Sequence, residues 1–227
     1  MPVFMLSEQN IFPPPHLAEE TGLLAVGGDL SRDRLLAAYK NGIFPWYSDD
    51  EPILWWSPDP RLVLYPHELK VHRRLTRTMK TGDFIITFDT AFHEVMLGCA
   101  APRRSKKAGT WIVPAMIGAY EHLHEAGYAH SVEAWREGEL VGGLYGVSLG
   151  GCFFGESMFT RVRDASKVAF VTLVQYLSAH HFEMIDCQVI TSHLVSFGAR
   201  EISRRQFLKQ LQAALKRPSM TGPWRDL

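Results

Sequence analysis

The sequence predicts an α+β fold with a mostly antiparallel central sheet, on three observations. Residues 129–136, 140–147 and 151–159 read as strands, and the tight connections Glu137-Gly138-Glu139 and Leu149-Gly150 join them into an antiparallel meander. Residues 166–180 carry a helical pattern between the meander and one further strand, 184–189. Several more amphipathic helical stretches lie on either side, and these can cover the faces of such a sheet.

In chain order, the part up to Arg61 is dense in turn signals. Phe12-Pro13-Pro14-Pro15 reads as extended, and Gly22, Gly27, Gly28 and Gly42 punctuate the chain beyond it. Ser31 can cap a short helix reaching residue 41, with Leu35, Leu36 and Tyr39 on its apolar side and Gly42 ending it. Phe44-Pro45-Trp46-Tyr47 and Trp55-Trp56-Ser57-Pro58-Asp59-Pro60-Arg61 then hold three of the six tryptophans. Such density mostly means packing, although a tryptophan in a proline-flanked loop is also a rigid plate on which a nucleobase stacks. From Leu62 the pattern becomes regular: strand 62–65, helix 68–80, strand 84–88, helix 92–99, and helix 114–126 with Met116, Ile117, Tyr120 and Leu123 inward. A last helix spans 203–216. The change of texture divides the chain into residues 1–61 and 62–227.

Composition narrows the function. A chain of 227 residues, 46% hydrophobic and 21% charged, buries a core of ordinary soluble type. Lys+Arg and Asp+Glu number 24 each, so any attraction to nucleic acid must be local. Cys99, Cys152 and Cys187 form no CxxC pair and fit a reducing cytosol, and the ten histidines show no HExxH spacing. No charged leader with an apolar stretch and no membrane-length apolar run is present. The expectation is a cytoplasmic protein with no metal, no cofactor and no membrane partner.

Four features bear on chemistry. On a strand, Asp186 and Gln188 point to one face and Cys187 to the other. An aspartate accepting from the glutamine amide would leave the glutamine carbonyl oxygen free to accept from a substrate, although an exposed strand face offers the same pair. Glu156 ends a nearly all-apolar strand and must be paired, with Lys167 or Arg161 as internal candidates, or else sit at a cleft mouth. Lys70, Arg73, Arg77 and Lys80 fall on one face of the expected helix 68–80, and a second basic cluster at 103–107 runs into Trp111. Two basic clusters in a neutral chain point to a local phosphate-binding surface. Leu144, Phe153, Leu173 and Ile185 can share one side of the sheet, which as it stands is ordinary core.

Several long, compositionally odd motifs then occur together. Gly22 to Leu30 (GLLAVGGDL), Gly42 to Trp46 (GIFPW), Leu54 to Arg61 (LWWSPDPR), Gly109 to Ile112 (GTWI), Gly155 to Phe159 (GESMF) and Asp186-Cys187-Gln188 resemble, in order and spacing, the leucyl/phenylalanyl-tRNA–protein transferase family over roughly residues 20–205. The resemblance implies a small N-terminal α/β domain and a GNAT-like acyltransferase domain. It also implies transfer of Leu or Phe, and less well Met, from aminoacyl-tRNA to a protein beginning with Arg or Lys, marking that protein for N-degron proteolysis. By position, Trp46 and Trp111 would hold the terminal adenosine of the tRNA, and Leu144, Phe153, Leu173 and Ile185 would form the aminoacyl pocket. Glu156 would contact the acceptor peptide, and Asp186 and Gln188 would act at the reaction centre. Aminolysis of an activated ester needs mainly positioning. An α-amino group of pKa about 7.7–8.0 is already partly neutral near pH 7, so Gln188 need only align it. Two other readings remain at this point. An acyl-CoA N-acyltransferase requires a glycine-rich phosphate nest where this chain has Arg161-Val162-Arg163-Asp164-Ala165-Ser166-Lys167, without glycine. A non-catalytic tRNA-binding module leaves Glu156, Asp186 and Gln188 idle.

Overall fold

In the computed structural model, which describes residues 3–101 and 112–226, the turn-dense start of the chain builds a small sheet of its own. It contains β1 (Phe4–Leu6), β2 (Leu23–Gly27), helix α1 (Arg32–Lys40), β3 (Phe44–Pro45) and β4 (Leu54–Trp56), with strand order β1-β2-β4-β3. The sequence pattern does not predict these strands, because runs of two to five residues are too short to display a period of two. Helix α1 obeys its sequence signals. The Ser31 hydroxyl accepts from the Arg34 N–H, and Gly42 just beyond the helix has φ +68°. A Cβ at Gly42 would lie 2.7 Å from the Phe207 ring, so glycine is needed there for both conformation and space.

The larger part adds β5 (Arg61–Leu64), α2 (Arg73–Thr81), β6 (Ile85–Phe88), α3 (Phe92–Ala100), α4 (Pro114–Glu125), β7 (Ala129–Arg136), β8 (Glu139–Leu149) and β9 (Cys152–Thr160). It continues with α5 (Ala165–Ala179), β10 (Met184–Gln188), α6 (Ser192–Ser196), β11 (Arg200–Ile202) and α7 (Arg204–Ala214). The sheet runs β11-β5-β10-β9-β8-β7-β6, and only the β9–β10 pair is parallel. The expected mixed α+β architecture with a mostly antiparallel sheet is therefore present. One expected helix is shorter: residues 66–68 form a single 3-10 turn and α2 begins only at Arg73. The Lys70 N–H donates to the Phe197 carbonyl, and Leu69 and Val71 pack on the core, so tertiary contacts hold this stretch out of the helix.

Alternation along the strands sorts side chains into two cores. Val147 and Phe154 meet α1, α3, α4 and α7 through Leu35, Val95, Met116 and Phe207. On the other face, Leu144, Phe153 and Ile185 meet α5 through Leu173 and Val174. The C-terminal Trp224 closes that second core, stacked on His130 at 3.8 Å with its ring 6.0 Å from Phe153.

The feature that positions a site is where β9 and β10 part. They pair only from Cys152–Met184 to Phe154–Asp186. Beyond that point both strands carry a register shift against their other neighbours, and the shifts leave Glu156 of β9 and Cys187 of β10 without an opposite residue. Bulges of this kind bend a strand and redirect its side chains.

Candidate active site

The gap between the parted strands is a cavity of about 420 Å³. Leu144, Phe153, Leu173 and Ile185 all line it, together with Glu156 and Gln188. Room beneath Phe153 depends on Gly146, where a Cβ would stand 2.2 Å from the Phe154 carbonyl oxygen and 2.6 Å from the Phe153 ring. A smaller recess of about 100 Å³ adjoins this cavity, lined by Phe44, Pro45, Trp46, Glu156, Gln188 and Val189. Trp46 is thus beside the two polar groups and 42% exposed. Trp111 and the basic residues at 103–107 lie outside the described residues.

Glu156 and Gln188 share one hydrogen-bond network. Glu156 accepts from Gln188 Nε2 (2.9 Å) and lies within hydrogen-bond distance of the Tyr39 hydroxyl (2.8 Å) and the Tyr120 hydroxyl (3.0 Å), whose oxygens also meet each other; with one proton per phenol, these three phenol contacts are all hydrogen bonds only when the carboxyl itself carries a proton. No Lys or Arg among the described residues pairs with Glu156. Lys167 instead pairs with Asp164, and Arg161 donates to the Leu140 carbonyl. Burial pushes the Glu156 carboxyl up to about 7, although the phenol and amide donors favour its charged form. Tyr39 and Tyr120 are raised well above the ordinary phenol value, by burial first and then by the Glu156 charge.

Asp186 does not play the part that alternation assigns to it. Its carboxylate takes two hydrogen bonds from Arg61, Nε to Oδ1 at 2.8 Å and NH2 to Oδ2 at 2.6 Å, with both side chains buried. Asp186 Oδ1 also accepts from the backbone N–H of Gln188 at 2.9 Å, not from its side-chain amide. The reason is local: Gln188 is in the left-handed conformation, φ +63°, after the bulge at Cys187, so the two side chains do not project as a simple strand pair. Such a conformation costs a non-glycine residue on the order of 1–3 kcal/mol, and the Asp186–Arg61 pair holds it in place. The amide of Gln188 is oriented by Glu156, which leaves its carbonyl oxygen without a donor among the described residues. Sequence reasoning does not find Arg61, Tyr39 and Tyr120 as site residues. A tyrosine on an inward helix face reads as core, and its hydroxyl declares no partner until another element arrives.

Two further features of the site follow from chemistry. Cys187 lines the cavity, and burial raises its thiol far above the usual range, which disfavours the thiolate there. Among the described residues no group of three or more His, Cys, Asp or Glu can hold a metal ion. The basic stripe does not reach the site. Arg73, Arg77 and Lys80 are exposed on α2, Lys70 precedes that helix, and none of the four lines either cavity.

Glu156 carries a pH signature. Its folded carboxyl titrates above its ordinary value of 4.5, so the stability it contributes is complete below that value and is lost as pH rises through about 7. Glu156→Gln carries no such charge at any pH. It therefore melts higher relative to wild type at pH 8 than at pH 5 in paired thermal denaturations. A melting difference that stays constant between the two pH values would exclude a charge effect at this position.

The chain is similar to known proteins along most of its length. Its residues 63–212 match the family model described as leucyl/phenylalanyl-tRNA protein transferase, and residues 28–59 match the model of that family's N-terminal domain. The leucyl/phenylalanyl-tRNA–protein transferase of Solidesulfovibrio magneticus is 60% identical over 224 residues, covering 99% of this chain and 91% of that one. The enzyme of that name from Syntrophobacter fumaroxidans is 64% identical over 211 residues, covering 93% and 90%. That of Myxococcus xanthus is 55% identical over 228 residues, covering 100% and 97%. Among solved structures, a GCN5-related N-acetyltransferase from Kribbella flavida aligns over 74% of this chain and 60% of its own. It does so at 10% identity with a TM-score of 0.35, too low to bear on function.

Proposed function

Because the chain belongs to the leucyl/phenylalanyl-tRNA–protein transferase family, and is thus an aminoacyltransferase using aminoacyl-tRNA as donor, we propose that it moves Leu or Phe, and less well Met, to proteins beginning with Arg or Lys. In this reading the products enter N-degron proteolysis in the cytoplasm. Residues 1–61 form the small N-terminal domain and residues 62–227 a GNAT-like catalytic domain, a reading supported by the meander β7–β9, the crossover α5 and the parallel strand β10. One observation carries it: an apolar cavity sized for a large side chain opens onto a carboxylate and a carboxamide held in one hydrogen-bond network.

The roles follow from that arrangement. The aminoacyl side chain lies among Leu144, Phe153, Leu173 and Ile185, so its ester carbonyl stands near Gln188 and Glu156. Trp46, and with it Trp111, stacks the terminal adenosine. Glu156 pairs with no cation among the described residues, which favours the charged Arg or Lys side chain that begins an acceptor in the recess beside Trp46. The Gln188 carbonyl oxygen accepts a hydrogen from the neutral α-amine and aligns its lone pair with the ester carbon. As the C–N bond forms and the ester C–O bond breaks, the amine proton passes to the departing ribose oxygen. Asp186, through Arg61 and the Gln188 backbone, positions the glutamine. Lys70, Arg73, Arg77 and Lys80 contact tRNA phosphates away from the chemistry.

The test supplies labelled Leu-, Phe-, Met- and Ile-tRNA with an Arg-initiated peptide. Leu and Phe transfer best and Met less. The β-branched Ile is disfavoured by about 10–200-fold, the range that one misplaced methyl in an apolar pocket supports. No transfer of Leu or Phe to the Arg peptide overturns the reading.

A further inference from the structure

The buried pair Arg61–Asp186 has surroundings that its two hydrogen bonds do not explain. Arg61 Nε and Nη2 are engaged by Asp186, but Nη1 is buried too, with no hydrogen-bond partner among the described residues. An interior guanidinium with an idle donor is costly, and something must offset its lost hydration. Two aromatic faces do so. The guanidinium carbon lies over the Phe44 ring at 4.8 Å and over the Phe207 ring at 4.6 Å. Both rings are buried, where the attraction of a cation to a π face is strongest. They come from distant parts of the chain, Phe44 from β3 of the small sheet and Phe207 from α7. Gly42 lets them approach, since a Cβ there would run into the Phe207 and Leu208 side chains.

We propose that Phe44 and Phe207 are positioning residues for the transfer: by fixing the Arg61 guanidinium they fix Asp186, and through it the left-handed backbone of Gln188. The contacts are continuous. Arg61 holds both carboxylate oxygens of Asp186, and Oδ1 also accepts the Gln188 backbone N–H at 2.9 Å. A carboxylate free to turn loses that third bond, and the strained backbone of Gln188 at φ +63° then relaxes. Phe44 also lines the recess beside Trp46, whereas Phe207 lines neither the recess nor the cavity. Any effect of Phe207 on turnover is therefore indirect. The inference rests on Gln188 aligning the amine and adds what keeps it in place.

In the full chain, Phe207 is replaced by phenylalanines carrying increasing numbers of ring fluorines. These nearly keep the volume of the ring while draining, and finally reversing, the charge of its face. Hydrogen exchange at the Gln188 N–H, which needs no turnover, is measured beside steady-state transfer of Leu to an Arg-initiated peptide. Protection of the Gln188 N–H falls stepwise with fluorination while the amides of the central strands β8 and β9 keep theirs. In parallel kcat falls, on the order of tenfold at full fluorination, with the KM for Leu-tRNA nearly unchanged. The same replacements at Phe182, buried in the other core beside Trp224, change neither readout. Unchanged protection at Gln188, or an equal loss throughout the sheet, overturns the proposal. A selective loss of protection at unchanged kcat upholds the clamp and overturns the role given to Gln188 instead.

Discussion

Gln188→Ala lowers kcat on the order of a hundredfold while leaving the KM for Leu-tRNA nearly unchanged. The side chain lines both the cavity and the recess and donates a hydrogen bond from Nε2 to Glu156 Oε1 at 2.9 Å. The apolar wall proposed to take the aminoacyl group survives its loss, so ground-state binding is largely kept. On the proposed role, what disappears is the acceptor that aligns the amine, and a misaligned nucleophile costs about 10²-fold. Steady-state kinetics separates the two cases: parallel losses in kcat and in Leu-tRNA affinity would make Gln188 a binding residue. Gln188→Glu is the informative companion. It keeps the acceptor oxygen but sets a second carboxylate against Glu156; this like-charge contact raises the proton affinity of the pair, so on lowering the pH the variant loses activity at a higher pH than wild type.

The second large effect lies at Asp186. Asp186→Ala leaves the Arg61 guanidinium buried without its counter-charge between the Phe44 and Phe207 rings, 4.8 and 4.6 Å from their centroids. Breaking a buried pair from one side costs about 3–5 kcal/mol. In a domain of this size that is roughly a 6–20 °C fall in Tm. Removing both charges, as in Arg61→Met/Asp186→Leu, restores much of the melting temperature. It does not restore turnover, because the backbone N–H of Gln188 has lost the acceptor that holds its left-handed turn. Asp186→Ala with wild-type Tm and no activity would instead make the carboxylate a participant in the chemistry.

The arrangement divides labour between the two acids. Asp186 is fully paired and shapes the backbone, and Glu156 is unpaired by any described cation and holds the Gln188 amide. Their burial differs less than their partners do. Arg61 gives one a buried counter-charge, and only neutral groups hydrogen-bond to the other, whose carboxyl burial pushes up to about 7.

Residues 129–188 are the most legible part of the fold. Strands of eight to eleven residues and a fifteen-residue helix repeat their period often enough to be read, and Gly138 and Gly150 mark the turns between strands. Leu144, Phe153, Leu173 and Ile185 are legible as inward residues, but only the family resemblance separates a pocket wall from plain core. The small N-terminal sheet is not legible, since its strands are too short. Periodicity also overextends helix α2, because it cannot register the pull of Phe197 on Lys70.

By itself, the sequence determined which of the longer segments are strands and helices, which faces turn inward, and through its motifs the family and its chemistry. Only the tertiary structure decided how Glu156, Asp186 and Gln188 divide their work. Their partners are remote along the chain: Tyr39 is 117 residues from Glu156 and Arg61 is 125 from Asp186. Periodicity is set by the backbone over a few residues. A buried carboxylate, by contrast, takes its proton affinity and its role from whichever donors the packed elements bring to it.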